Sequence, residues 1–343
     1  MSFKIQHSVL SIVSAFCLFS ALSACASPPT PLDTNISYDA SLEKYAYPFA
    51  VEAYQFDSQG QTLEMAYMYL PESQAGKGVV TLLHGKNFNG AYWEKTANYL
   101  HELGYGVLIP DQIGFGKSSK PTDYQYSFPA LAHNTKMLMD SLNIQSSHLI
   151  GHSMGGMLAS RFALLYPNKT QQLTLLNPIG LENYLHYVEY KDVDFFYANE
   201  LNQQPEQIAA YQQKNYYDGA WNDTYAALTI PLIGWVNGPD WPTLAMVNAR
   251  TYDMIFSGPV IEEFDDFEMP VTLIIGTRDR TGPGRNWMRA GVDYELGRYD
   301  KLGAQVKARN AKIDVIELDD LGHLPHIESF ERFEKALNQT LLD

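Results

Sequence analysis

Residues 148–156 read His148-Leu149-Ile150-Gly151-His152-Ser153-Met154-Gly155-Gly156, and this stretch decides the fold. Its first three residues have the pattern of a short buried strand, and a helix is predicted from 154 to 166, just before Pro167. Glycine on both sides of Ser153 permits a tight strand-to-helix turn that projects the serine hydroxyl from the edge of a sheet. A Gly-x-Ser-x-Gly match alone arises by chance about 0.1 times in such a chain, so the flanking strand and helix carry the prediction.

Short apolar runs alternate with helical patterns on both sides of this stretch. Further strands are predicted at residues 79–83, 105–110, 173–176, 271–275 and 312–318, and further helices at 93–103, 127–142, 294–308 and 329–342. Two alternating runs, 49–56 and 63–70, precede them and predict an antiparallel hairpin. Continuous apolar strands separated by helices predict an α/β fold, in which a mostly parallel, twisted sheet carries helices on both faces.

The alternation is interrupted once, which divides the chain. It stops after Asn177 and resumes at residue 271, and the segment between is rich in aromatic residues with helical patterning. We therefore expect a core formed by residues 49–177 and 270–343, with residues 178–269 inserted as a helical cap. Such a cap would lie over the carboxyl edge of the sheet, where open α/β sheets bind ligands. Its aromatic residues either line a binding site or form the core of the cap itself.

The N-terminal region has the features of an export signal. An apolar run from Val9 to Leu22 follows Lys4 and is too short to span a bilayer as a helix. The run ends in Leu22-Ser23-Ala24-Cys25, which resembles the lipobox of bacterial lipoproteins, where the cysteine is lipidated and becomes the first residue. Residues 1–24 are thus expected to be a lipoprotein signal peptide, and residues 25–48 a Pro-rich tether. The alternative is an ordinary secretory signal in which Cys25 is incidental.

These N-terminal features predict a location outside the cytoplasm. We expect a protein anchored to a membrane by lipid on Cys25, or otherwise a secreted one. In a Gram-negative cell the location would be the outer membrane or periplasm, since Ala26 after the cysteine resembles an outer-membrane sorting signal.

Composition excludes several classes of function. The chain has 343 residues, of which 45% are apolar, so it is long and apolar enough for a large buried core. Its net charge of −15, without a basic stripe, argues against a nucleic-acid partner. With Cys17 removed and Cys25 lipidated, no thiol remains for a disulfide, a metal site or a nucleophile. Neither a metal nor another cofactor is expected, and the expected partner is a small-molecule substrate.

A serine nucleophile needs a base to remove its proton, and nine histidines are available. His323 lies in the predicted loop 320–326, between the last strand and the last helix, from which it can reach Ser153. His326 is the near rival, but Gly322 allows the close approach that a catalytic loop needs.

The acid that orients the base should follow a strand between Ser153 and His323. Asp279 does so, directly after the strand at 271–275. The other common position, the end of the strand after the nucleophile, holds the uncharged Asn177. Asp111 lies in a similar turn but upstream of the serine, and Asp279 could alternatively be a solvated residue paired with a neighbouring arginine.

An oxyanion hole requires two main-chain N–H groups. The N–H of Met154, at the start of a helix, is one candidate, and the N–H of Lys86, in the loop after strand 79–83, is the other. His84 is expected to brace this loop. Phe88, Trp93 and His152 are predicted to contribute to the substrate pocket.

The order Ser153, Asp279, His323 resembles that of the α/β-hydrolase superfamily. The signature-like segments are His84-Gly85, Asp111-Gln112-Ile113-Gly114-Phe115-Gly116-Lys117-Ser118, Gly151 to Gly156 and Gly322-His323, and the resemblance covers residues 49–343. The branch with a helical cap includes esterases, haloperoxidase-like proteins and carbon–carbon bond hydrolases. Its epoxide hydrolases and dehalogenases use an aspartate nucleophile, so Ser153 argues against them.

The resemblance implies a serine hydrolase that cleaves an ester-type substrate through an acyl-enzyme on Ser153. Aromatic residues in the cap and near Lys86 favour an apolar or aromatic acyl group. One alternative is a carbon–carbon bond hydrolase with the same three residues, although an extracytoplasmic location counts against it. The other is a non-catalytic binding protein that has kept the fold.

Overall fold

The computed structural model describes Met1 and residues 33–341 and contains one eight-stranded sheet. The strands are β1 (Val51–Ser58), β2 (Gln61–Leu70), β3 (Val79–Leu83), β4 (Gly106–Pro110), β5 (Ser147–His152), β6 (Thr170–Leu176), β7 (Val271–Gly276) and β8 (Asp314–Leu318). Their spatial order is β1-β2-β4-β3-β5-β6-β7-β8. β2 is antiparallel to both β1 and β4, and all other pairs are parallel. The predicted hairpin and mostly parallel sheet are confirmed.

Eleven α-helices lie in the described residues. They are α1 (Glu94–Glu102), α2 (Phe128–Ser141), α3 (Met154–Leu165), α4 (Val193–Leu201), α5 (Pro205–Tyr216), α6 (Asp223–Ala227), α7 (Ile230–Val236), α8 (Trp241–Ser257), α9 (Tyr299–Arg309), α10 (Pro325–Glu328) and α11 (Phe330–Asn338). Local signals set their ends: α2, for example, begins after Ser127, whose hydroxyl accepts a hydrogen bond from the Ala130 N–H. Two differences from the sequence prediction are that α9 starts at Tyr299 and that the expected loop 320–326 already contains the first turn of α10.

The sheet is buried because helices cover both of its faces. One apolar cluster includes Phe128 on α2 and Phe162 on α3, and the other includes Trp93 beside α1 and Phe333 on α11. β4, β5 and β7 are buried at every position, as expected for parallel strands between two helical layers. This arrangement holds the carboxyl ends of the central strands in fixed positions.

The cap is helical, as predicted. Helices α4 to α8 all lie between β6 and β7 in the chain. Many cap aromatics pack against one another: the rings of Tyr217 and Tyr225 stack at 3.7 Å, and those of Phe196 and Phe256 at 5.7 Å. These residues form the core of the cap, whereas Tyr211 and Tyr216 face the site described below.

The segment before β1 is packed against the fold. Leu42 is fully buried, the Tyr38 N–H donates to Gly234 O (2.8 Å), and the Tyr47 hydroxyl donates to Asp111 (2.6 Å). Residues 38–48, which the sequence analysis assigned to the tether, are therefore part of the folded unit. Apart from Met1, the expected signal peptide lies outside the described residues, as do Cys25 and the start of the tether. No helix in the described part of the chain has the length and hydropathy required to cross a membrane.

Candidate active site

Ser153 occupies a strained turn between β5 and α3. Its backbone has φ 57° and ψ −122°, a combination that costs on the order of 1–3 kcal/mol and persists only where surrounding structure enforces it. A Cβ atom at Gly151 would lie 2.2 Å from Gly155 O, and one at Gly155 would lie 2.1 Å from Leu83 O. Only glycine fits at these two positions, which explains why the motif requires both.

Ser153, His323 and Asp279 form a continuous hydrogen-bonded set. His323 Nε2 lies 3.0 Å from Ser153 Oγ, and His323 Nδ1 lies 2.7 Å from Asp279 Oδ2. Because the Asp279 carboxylate can only accept, Nδ1 carries the proton and Nε2 is free to accept the proton of the serine. The loops after β5, β7 and β8 supply the three residues, so the shared carboxyl edge of the sheet brings them together.

Asp279 is fully buried and held by three donors. In addition to His323, Asn177 Nδ2 donates to Oδ2 (3.0 Å) and the Thr281 N–H donates to Oδ1 (2.7 Å). Burial on its own would raise the pKa of the Asp279 carboxyl, but His323 and these hydrogen bonds outweigh it and hold the pKa below its usual value. The carboxylate therefore stays ionised, and it is not the solvated, arginine-paired residue considered as the alternative.

Asn177 is a site residue that sequence reasoning missed. Its amide group donates to Asp279, while its Oδ1 accepts from the Gly276 N–H at 2.8 Å. The residue thereby ties the end of β6 to the loop that carries the acid. The available signal was its position at a strand end, which the sequence analysis considered only as a place for a charge.

The other candidate residues have structural surroundings. His326 stacks on Trp93 (4.7 Å), neither of its ring nitrogens has a hydrogen-bond partner among residues 33–341, and burial lowers its pKa to about 3. His84 bridges Gly85 O and the Gln112 N–H, so it braces the loop after β3. Asp111 accepts main-chain hydrogen bonds from Gly90 and Lys117, away from the three residues at Ser153.

His152 links His323 to the loop after β3. Its Nε2–H donates to His323 O (2.8 Å), and its Nδ1 accepts from the Tyr92 hydroxyl (2.9 Å). The Tyr92 oxygen in turn accepts from the Gly85 N–H (3.1 Å). Burial keeps the pKa of His152 well below its usual value, so the ring is neutral with a single proton arrangement.

Two main-chain N–H groups near Ser153 are available to an oxyanion. Met154 is the first residue of α3, so its N–H has no acceptor within the helix and lies at the positive end of the helix dipole. The loop carrying Lys86 lies over the serine, since a Cβ at Gly85 would be 3.1 Å from Ser153 Cβ. Within the described residues, neither the Met154 N–H nor the Lys86 N–H donates to another group.

Ser153 opens into a cavity of about 380 Å³ between the sheet edge and the cap. Its walls include Lys86 and Asn87, the segment 280–287, and the aromatic residues Tyr211, Tyr216 and Tyr252. The Tyr216 ring stacks on the His323 ring at 4.6 Å. The main-chain N–H of His323 donates to the main-chain oxygen of Tyr216 (3.4 Å). Gly322 makes this contact possible, because a Cβ there would lie 2.1 Å from the same oxygen. Tyr216, a cap residue far from the motifs in sequence, thus covers the base.

The predicted pocket residues do not line this cavity. Trp93 and His152 are fully buried in an aromatic cluster with His326, whose ring lies 4.7 Å from that of Trp93 and 5.0 Å from that of His152. Phe88 stacks on Tyr92 (4.9 Å) and lines a separate cavity of about 530 Å³ that contains none of Ser153, Asp279 and His323. The prediction of Phe88, Trp93 and His152 as lining residues at Ser153 is therefore wrong. Among residues 33–341, no group of three or more His, Asp or Glu side chains is placed to hold a metal ion.

Comparisons with known proteins agree with this fold. The family described as "alpha/beta hydrolase fold" matches residues 78–222. A solved structure of a probable hydrolytic enzyme from Pseudomonas aeruginosa PAO1 is 41% identical, with a TM-score of 0.87 over 90% of this chain and 100% of that one.

Curated relatives are similar over a shorter length. A 2-hydroxy-6-oxononadienedioate/2-hydroxy-6-oxononatrienedioate hydrolase from Comamonas testosteroni is 38% identical over 120 residues, 33% of this chain and 41% of that protein. A 2-hydroxy-6-oxo-6-phenylhexa-2,4-dienoate hydrolase from Burkholderia cepacia is 37% identical over 116 residues, 32% of this chain and 40% of the relative. The chain thus matches about two fifths of the length of these curated relatives.

Proposed function

The chain belongs to the α/β-hydrolase fold family, and we propose that it is a serine hydrolase that cleaves an ester-type small-molecule substrate. The observation that carries this proposal is the hydrogen-bonded set of Ser153, His323 and Asp279 at the base of a cavity. The aromatic walls of that cavity suit an acyl group with an apolar or aromatic body.

In the proposed reaction, Ser153 Oγ attacks the substrate carbonyl while His323 Nε2 takes its proton. The N–H groups of Met154 and Lys86 bind the oxyanion, and Asp279 stabilises the imidazolium through Nδ1–H. His323 then gives the proton to the leaving alcohol, which leaves the acyl group on Ser153. A water molecule, deprotonated by the same imidazole, hydrolyses the acyl-enzyme and restores the serine.

Steady-state kinetics of Ser153→Ala on a series of 4-nitrophenyl esters test the proposal. We expect kcat to fall by about 10⁴-fold or more, because the alanine has no oxygen with which to form the acyl-enzyme. Ser141→Ala is the matched control, since Ser141 is exposed on α2 and its hydroxyl donates to Leu138 O in its own helix. If Ser153→Ala hydrolyses the esters about as fast as the wild type and Ser141→Ala, the assignment is contradicted.

A carbon–carbon bond hydrolase with the same catalytic residues is the second candidate. Similarity to two hydrolases of 2-hydroxy-6-oxo-dienoates favours it, although the match covers only a third of this chain. Turnover of 2-hydroxy-6-oxo-6-phenylhexa-2,4-dienoate, compared with that of a simple 4-nitrophenyl ester, separates the two. A folded wild-type protein inert toward both substrates and toward serine-directed probes would instead favour a non-catalytic binding protein.

We further propose that the protein acts outside the cytoplasm, anchored by lipid on Cys25. The lipobox-like Leu22-Ser23-Ala24-Cys25 supports this proposal. Metabolic labelling with an alkyne analogue of palmitate should mark the wild type and Cys17→Ser, but not Cys25→Ser. If both cysteine variants are labelled equally, or if no label is found on any of the three proteins, the proposal of a lipid anchor on Cys25 is contradicted.

A further inference from the structure

The cavity at Ser153 has the opposite charge to the rest of the protein. The chain carries a net charge of −15, yet the residues lining this cavity include Lys86, Lys214, Arg280 and Arg285. None of the lining residues in the described part of the chain is acidic. A cleft lined by one sign of charge focuses its field and concentrates ligands of the other sign. In an acidic protein such a cleft favours an anionic ligand.

Lys86 belongs to the loop over Ser153, because it follows Gly85, at which a Cβ would lie 3.1 Å from Ser153 Cβ. Its partly buried side chain lines the cavity, and Nζ lies 5.3 Å from the centre of the Tyr252 ring. Burial lowers the pKa of the Lys86 ammonium, and the charge of Glu200 opposes that shift. Within the described residues, Nζ makes no hydrogen bond and has no carboxylate oxygen within 4 Å.

The charge of Glu200 acts on this lysine, but within the described residues the two side chains form no ion pair within 4 Å. Glu200 lines a neighbouring cavity rather than the one at Ser153, and its carboxyl accepts from Asn248 Nδ2 at 3.5 Å. Burial raises the pKa of Glu200 while Lys86 lowers it, so the net pKa lies above its usual value. The Lys86 ammonium therefore keeps donors that no protein group uses, and an ammonium taken partly out of water without a partner is costly.

The remaining three cations differ in how they are used. Arg280 lies 3.4 Å from Asp300 and donates to main-chain oxygens, so it holds its own loop. Within the described residues, Arg285 donates to the main-chain oxygens of Leu296 and Arg280 and to no carboxylate. Lys214, at the end of α5, is exposed and has no carboxylate within 4 Å in the described residues. Lys214 and Arg285 thus form a positive rim, and Lys86 a positive site inside it.

We propose that the substrate of this site bears a carboxylate, which contacts the Lys86 ammonium while its ester carbonyl lies at Ser153. Of the four cations that line the cavity, Lys86 lies inside the rim and beside the Tyr252 ring, so its ammonium matches the single charge of a carboxylate on an otherwise apolar body. The substrate class is therefore a monoester of a dicarboxylic acid, in which the acyl part keeps one free carboxylate. This inference rests on the proposed hydrolase function, and it adds the charge of the substrate.

The test compares matched esters. The 4-nitrophenyl monoesters of glutaric, adipic and suberic acid are measured against 4-nitrophenyl esters of unbranched monocarboxylic acids of the same length. The wild type should show the higher kcat/KM on at least one monoester of a dicarboxylic acid. Lys86→Met should reduce that anionic-to-neutral ratio by about tenfold to a hundredfold, the range for losing one hydrogen bond to a charged group. Lys301→Met, an exposed site on α9, should leave the ratio unchanged.

Lys214→Gln provides a second variant on the exposed rim. We expect a fall of about threefold in the same ratio, together with a weaker dependence on salt between about 0.05 M and about 0.5 M. A wild-type ratio at or below one for all three chain lengths would overturn the inference and leave the hydrolase proposal intact. An unchanged ratio in both lysine variants would overturn it as well.

A binding measurement keeps the inference independent of turnover. Calorimetric titration of Ser153→Ala with glutarate, adipate and suberate should give saturable binding of at least one diacid, weakened about tenfold by adding Lys86→Met. Absence of binding by all three diacids would overturn the inference. If no ester is cleaved at all, the proposed function fails, and this titration still decides whether the cavity binds carboxylates.

Discussion

Replacing Tyr92 with phenylalanine removes one oxygen from the series of hydrogen bonds that links Gly85, through Tyr92 and His152, to His323. That oxygen accepts from the Gly85 N–H at 3.1 Å and donates to His152 Nδ1 at 2.9 Å, and all three groups are buried. Each buried partner left without a hydrogen bond costs about 1–3 kcal/mol. We therefore expect Tyr92→Phe to lower the free energy of unfolding by about 2–4 kcal/mol, allowing for partial relaxation of the loop.

Activity should fall as well, because both ends of this series of hydrogen bonds lie next to groups that take part in the proposed reaction. Gly85 precedes the proposed oxyanion donor Lys86, and His152 holds the main-chain oxygen of His323 at 2.8 Å. Small displacements of such groups cost rate without changing substrate contacts, so kcat should fall by about tenfold to a hundredfold with KM little changed.

Urea unfolding and steady-state kinetics on one 4-nitrophenyl ester measure both effects. Tyr99→Phe is the matched control, since the Tyr99 hydroxyl bonds to Asn338 at an exposed position (2.7 Å). Its effect on the free energy of unfolding should stay within about 0.5 kcal/mol. If Tyr92→Phe is as stable and as active as Tyr99→Phe, the linking role of Tyr92 and His152 is refuted.

Three further predictions concern the neighbours of Ser153. Asp279→Asn should lower kcat by about 10⁴-fold, because an amide can donate to His323 and so favour the wrong tautomer; a loss below tenfold in steady-state kinetics would contradict this. Asn177→Ala should lower kcat/KM about tenfold by removing a donor to Asp279 and raising the pKa of its carboxyl, whereas the exposed Asn338→Ala should have no such effect. Burial lowers the pKa of His326 to about 3 in the fold, against 6.5 ordinarily. Between pH 6.5 and pH 3 the unfolded chain therefore binds a proton that the folded protein does not, and the free energy of unfolding falls as the pH drops. His326→Phe should flatten that fall by about 1.4 kcal/mol per pH unit, measured by urea unfolding between about pH 6 and about pH 4.5; an unchanged slope would count against it.

Strand ends made the positions of Asp279 and His323 predictable from sequence. Each buried parallel strand is recognisable in the sequence as a continuous apolar run. The carboxyl ends of these strands meet at one edge of the sheet, so the residues that directly follow the strands lie close together. The same argument had less force for Asn177, because an amide at a strand end carries no charge to mark it. Its role depends on the distance to Asp279, which only the register of β6 and β7 fixes.

The lining of the cavity could not be read from local sequence. Phe88 and Trp93 follow the oxyanion loop closely, but both pack in the apolar cluster that includes residues of α1 and α11, where Trp93 stacks on His326. Tyr216 and Tyr211, which do line the cavity, come from the cap, whose placement depends on tertiary packing rather than on periodicity. The side chain of Lys86 was not considered, since the sequence argument used only its main chain.

The segment before β1 shows a similar limit. The prolines at 28, 29 and 31 predict a tether, which the sequence analysis places at residues 25–48. Beyond Asp33, however, Leu42 and the tyrosines at 38, 45 and 47 supply enough apolar surface to pack against α7, α8 and the sheet. Tyr38, Leu42 and Tyr45 have the helical spacing i, i+4 and i+7, yet residues 38–48 form turns and extended segments, so periodicity does not indicate how this segment packs.

The most direct test of the central claim is to locate a covalent adduct by mass spectrometry after treatment with a fluorophosphonate. The account predicts a single adduct, on the peptide that contains Ser153, absent from Ser153→Ala and formed far more slowly by His323→Ala. Labelling of Ser141→Ala should equal that of the wild type. An adduct on another residue, or labelling that persists in Ser153→Ala, would contradict the assignment of Ser153 as the nucleophile.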